Sequence, residues 1–105
     1  MTADRLRTDE VNALLEALLA LKTTDEAYAL LQDMCTVREM HEIAQRLQVA
    51  RMLGEGEHYS RIQEVTGAST TTIARVNRCL HYGADGYRTV LRRMGIELSD
   101  TGSAE

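Results

Sequence analysis

The stretch YSRIQEVTGASTTTIARVNRCL, residues 59–80, decides how the chain is read. Ile62 and Val65 stand one helical turn apart, and Ile73, Val76 and Leu80 recur at helical spacing, so two short helices each have an inner face. Between them Gly67 is the residue that enters a left-handed bend at little steric cost. Counting from Tyr59, apolar or small residues fall where two crossed helices must touch: Ile62, Thr66, Ala68, Ile73 and Val76. Gln63 departs from the pattern, standing where many such motifs place a small residue. The spacing predicts a helix-turn-helix.

The outer face of this pair carries the chemistry. Ser69 is a good N-cap, and Thr70, Thr71 and Thr72 follow it at the exposed start of the second helix, where hydroxyls reach base edges or phosphate oxygens. Arg61, Arg75 and Arg78 are the predicted phosphate contacts, and Tyr59, Ser60 and Gln63 face the same groove. The expected partner is double-stranded DNA, read by a transcriptional regulator, most simply a repressor. Two other classes stand beside it. One is a protein-interaction module whose arginines meet acidic side chains; the other is a ligand sensor with secondary DNA binding.

Composition bounds the rest. A chain of 105 residues without proline, phenylalanine or tryptophan, dominated by Leu, Ala, Met, Glu and Arg, is expected to be all-α with about six helices. A single domain over residues 1–95 and a short, acidic, loosely ordered tail over 96–105 are expected. No run of 18 apolar residues exists and the start MTADRLRTDE is highly charged, so neither a membrane span nor export is expected. Two cysteines, Cys35 and Cys79, make no disulfide framework and fit a reducing cytoplasm. The net charge of −4 hides a basic segment. Residues 58–94 hold six arginines against Glu64 and Asp85, a local balance of +4, while residues 1–57 carry 6 basic and 11 acidic side chains.

From Thr8 the run TDEVNALLEALLAL reads as a first helix, with Thr8 as cap and Asp9 and Glu10 at the positive end of the helix dipole. Its stripe of Val11, Leu14, Leu15 and Leu18 is widened by Leu19 and Leu21 beyond what a small core uses, which predicts a homodimer interface at Val11, Leu14, Leu15, Leu18 and Leu19. Thr23 and Glu26 have capping-box spacing ahead of a helix over about 24–33, and Thr36 and Glu39 form a clearer box, with Cys35 and Met40 as a hydrophobic staple. The third helix runs to about Leu53 with Met40, Ile43, Ala44, Leu47, Ala50 and Leu53 on one face. Gly83 is read as a helix stop and Asp85 as the next N-cap. The last helix is expected to turn Tyr87, Val90, Leu91 and Met94 inward and Arg88, Arg92 and Arg93 outward.

Neither catalytic nor metal chemistry is expected. His41, His58, His81 and the cysteines form no close ligand pair, and Cys79 reads as a small residue packed inside the motif. There is no nucleophile elbow or phosphate-binding glycine loop, and no cofactor is implied.

The strings IAQRLQVARML (43–53), TGASTTTIARVNRCLHYGADGY (66–87) and VLRRM (90–94) resemble the YerC/YecD group of Trp-repressor-related proteins, the match running from about Leu14 to Met94. The resemblance implies an intertwined all-helical homodimer with one helix-turn-helix per subunit, acting as a transcriptional regulator. It carries the ligand-contacting arginine of the Trp repressor onto Arg75. The following glycine, against which the indole lies, becomes Val76, and without gaps the second ligand arginine falls at Gln45, beside Arg46. The candidate effector pocket is therefore Arg46, Arg75 and Cys79, for a small molecule other than tryptophan or for none.

Overall fold

A computed structural model describes residues 5–99, and among these it forms six helices and no strand: α1 (Asp9–Ala20), α2 (Thr24–Met34), α3 (Val37–Gly54), α4 (Tyr59–Thr66), α5 (Thr70–Tyr82) and α6 (Gly86–Arg93). Four of these helices, α1, α2, α3 and α5, start where a short polar side chain satisfies one of the first amides. Thr8 Oγ1 accepts from the Val11 N–H at 3.1 Å, and Thr23 Oγ1 accepts from the Glu26 N–H at 3.1 Å. At α3 the box closes in both directions: the Glu39 N–H donates to Thr36 Oγ1 at 3.0 Å and the Thr36 N–H donates to Glu39 Oε1 at 2.8 Å. The Thr23 box does not close in this way, because the Glu26 carboxylate accepts from the Lys22 N–H instead. Each such cap stabilises its helix by about 1 kcal/mol.

The chain divides into two compact units between Met40 and His41, within the first turn of α3. In the first unit no residue of α1 or α2 is buried. Val11, Leu30 and Leu31 are half-buried, Leu14, Leu15 and Leu18 are exposed, and Leu19 is 87% exposed. An apolar stripe of this width therefore stands open on the single chain.

The second unit holds the core. Val49, Ala50, Met52 and Leu53 at the end of α3 pack with Ile62, Ala68, Ile73, Val76, Leu80 and Leu91 into one buried aliphatic cluster. The inner face of α3 is thus shifted toward its C-terminal end: Ile43, Ala44 and Leu47, expected inside, are exposed, because α4, α5 and α6 cover only the last turns. Val65 is also exposed. The inward place at the end of α4 goes to Thr66, whose hydroxyl donates to the Ile62 carbonyl at 2.7 Å and accepts from the Ala68 N–H at 3.1 Å. On α6 only Leu91 is fully buried; Tyr87 is half-buried, and Val90 and Met94 are exposed rather than inward.

The place expected of Met94 is taken by the segment that follows. Ile96 and Leu98 pack against the core, the Ile96 N–H donates to the Leu91 carbonyl at 3.0 Å, and the Ser99 N–H donates to the Gly54 carbonyl at 2.5 Å. Residues 96–99 are therefore a strap rather than a loose tail; positions 100–105 lie outside the described residues. Gly54 makes the strap possible, since a Cβ there would lie 2.5 Å from Leu98 Cδ2. Replacing Ile96 and Leu98 together by alanine should cost about 2 kcal/mol, two half-buried aliphatic side chains at roughly 1 kcal/mol each. A urea unfolding midpoint equal to that of the unaltered chain would show that the strap contributes nothing.

Candidate nucleic-acid interface

The predicted motif is built as its spacing implies. Gly67 ends α4 at φ 74°, and its amide donates to the Gln63 carbonyl at 2.9 Å. Ala68 is buried in the turn, and Ser69 caps α5 by accepting from the Thr72 N–H at 3.1 Å. The turn has one support that the motif pattern did not reveal: Gln45, reaching over from α3, donates Nε2 to the Thr66 carbonyl at 3.1 Å. This bond spans 21 residues, and no local pattern signals it.

The hydroxyl cluster divides in two. Thr70 and Thr71 are exposed, whereas Thr72 is half-buried and its hydroxyl receives a hydrogen bond from Ser69 at 3.1 Å. Two of the four side chains thus serve the cap, and two stand open at the start of α5. Ser60, Gln63, Arg75 and Arg78 are exposed as expected. Tyr59 is half-buried, leaning on the edge of the core. Arg61 pairs with Glu64 at 2.9 Å, but both side chains are more than half exposed, so the pair is worth well under 1 kcal/mol and a phosphate can displace the carboxylate.

Cys79 is not packed inside the motif. It is exposed and lines a cleft of about 540 Å³ with Ile43, Arg46, Leu47, Tyr87 and Val90, to which Gly83 and Ala84 of the α5–α6 turn also contribute. Arg46 and Cys79 of the candidate effector pocket are brought together, while Arg75 is not among the lining residues. Val76 is fully committed to the core. Of the other lining residues, Ile43, Leu47, Tyr87 and Val90 are expected from spacing on the inner faces of their helices, and they form cleft wall instead. A second hollow of about 480 Å³ is lined by Arg78 with Ala74, Asn77, His81 and Tyr82. Asn77 Oδ1 there is a buried acceptor with no partner among the described residues.

The family model of the Trp repressor protein matches residues 9–95. The chain belongs to the Trp repressor family. It is 49% identical over 94 residues to the uncharacterized protein YerC of Bacillus subtilis (strain 168), covering 90% of each chain. Two solved structures superpose closely on the chain. A Trp repressor candidate from Staphylococcus aureus gives a TM-score of 0.87 at 42% identity, over 94% of this chain and 99% of that one. A TrpR-like protein from Eubacterium eligens ATCC 27750 gives 0.85 at 48% identity, over 90% and 98%. The fold is therefore that of the Trp repressor family.

Burial in the cleft raises the Tyr87 hydroxyl above its ordinary value of 10.0, the nearby Arg46 charge opposing that shift and Cys79 adding to it. A proton held more tightly in the folded state stabilises that state below pH 10, and this contribution fades as pH climbs through the raised value. Tyr87→Phe should therefore remove part of the loss of thermal stability above pH 10. Identical alkaline melting profiles for the two proteins would refute the assignment.

Proposed function

We propose that the protein is a sequence-specific DNA-binding transcriptional regulator, acting as a homodimeric repressor in the cytoplasm. The observation that carries this reading is the exposed start of α5: Thr70 and Thr71 stand open beside the Ser69 cap, flanked by Arg75 and Arg78, on a helix whose opposite face is wholly buried. In a two-fold dimer the two copies of α5 enter successive major grooves about 34 Å apart. Arg61, Arg75 and Arg78 then neutralise phosphates, and Ser60, Gln63, Thr70 and Thr71 face the base edges, with Tyr59, Ser69 and Thr72 supporting them. Single hydroxyls discriminate less sharply than bidentate arginine–guanine pairs, so water and duplex shape carry much of the specificity.

Thr71→Ala should relax sequence preference with little change in salt response. Arg78→Ala should weaken binding to all sequences and reduce the slope of log affinity against log salt by about one unit. Gel shifts over a salt series measure both, and the same response from the two variants would sink the assignment. If no duplex is bound at low salt, the protein-interaction module becomes the better reading.

The open stripe on α1 supports the dimer, with Val11, Leu14, Leu15, Leu18 and Leu19 as its interface. On a lone chain, Leu15→Glu with Leu18→Glu changes two surface positions and should shift stability by less than about 1 kcal/mol. In a dimer the same pair abolishes assembly, and the dependence of Tm on protein concentration disappears. Sedimentation and melting at two concentrations decide between these outcomes.

The cleft holding Arg46 and Cys79 supports a second reading, in which a small molecule with an apolar body and an anionic group regulates the same protein. A ligand-induced rise in Tm is its signature.

A further inference from the structure

Arg88 does not face outward with the other arginines of α6. It sits in the first turn of α6, half-buried, and its Nε donates to the Leu80 carbonyl at 2.7 Å. Leu80 lies in the last turn of α5, where carbonyls run out of helical partners and carry the negative end of the helix dipole. The Cys79 carbonyl finds the Gly83 amide at 2.9 Å, and the Leu80 carbonyl takes the guanidinium. The turn between the helices is tightly specified. A Cβ on Gly83 would collide with the Cys79 carbonyl, and Asp85 holds the left-handed conformation at φ 66° without capping α6 through its side chain, contrary to its expected role.

From this geometry we infer that Arg88 is a positioning residue for duplex binding. It ties the far end of the recognition helix α5 to α6, and so fixes the angle at which Thr70 and Thr71 approach the base edges. The inference rests on the DNA-binding reading. It assigns Arg88 no phosphate contact, although its charge and its place in the basic segment suggest one.

The test exploits side-chain length. The amide nitrogen of glutamine is as many bonds from Cα as Arg Nε, so Arg88→Gln keeps a donor in place without the charge, and Arg88→Met keeps the bulk without the donor. Binding to a selected duplex is measured over a salt series, with amide hydrogen exchange at residues 80–84 of the free protein. For Arg88→Met, affinity should fall about tenfold at every salt concentration with an unchanged salt slope, and exchange should quicken. Arg88→Gln should recover to within about threefold of the unaltered protein and restore protection. Two results overturn the inference: both variants weakened alike with a slope shallower by about one unit, which marks a phosphate contact, or Arg88→Met binding as the unaltered protein does. Failure of the unaltered protein to bind any duplex at low salt overturns the DNA-binding reading and this inference with it. Hydrogen exchange still reports whether the tie between the helices exists.

Discussion

The last turns of α3 are the post on which the helix-turn-helix is mounted. Val49, Ala50 and Leu53 meet Ile62 from α4, Ile73, Val76 and Leu80 from α5, and Leu91 from α6 in one aliphatic cluster that contains no buried polar or charged residue. Each fully buried side chain of this kind contributes roughly 1.5–3 kcal/mol relative to exposure. The same atoms hold both motif helices and α6, so the motif cannot loosen without opening the whole unit. Its inner face is committed to packing, and only the outer face is free for recognition.

Charge is distributed to match. The acidic residues are concentrated before residue 58, and the six arginines of 58–94 fall on the motif and α6. At physiological salt, charges more than about 8 Å apart are largely screened, so a negative protein can still present a locally positive surface. Within that surface the arginines do not act alike. Arg61 lies beside Glu64 in an exposed pair, Arg88 donates to a backbone carbonyl, and Arg75 and Arg78 are exposed on α5.

Local devices were the most legible part of the chain. The caps at Thr8, Thr36 and Ser69 and the left-handed glycine at position 67 depend on neighbours within three or four residues, and they form as the sequence implies. Helix periodicity likewise located all six helices. It said which residues share a face, but not how much of that face the chain itself covers. Ile43, Leu47 and Val90 therefore read as core and emerge as cleft walls, and Cys79 joins them. Contacts that depend on the path of a turn were illegible. Arg88 finds Leu80 only because the α5–α6 turn folds back through Gly83 and Asp85, and Gln45 finds Thr66 only once α3 and α4 are packed. Of the ten candidate motif residues, Ser69, Thr72 and Tyr59 are partly engaged in holding the fold.

The makeup of the core also bears on how this molecule can be watched. There is no tryptophan or phenylalanine, and none of the four tyrosines belongs to the fully buried cluster. Tyr87 lines the cleft, Tyr59 opens the first motif helix, and Tyr28 and Tyr82 are exposed on α2 and at the end of α5. Near-ultraviolet absorbance and emission thus originate at exposed or half-buried positions. Far-ultraviolet dichroism follows the helices themselves, so the two optical windows separate encounter from unfolding without any added label.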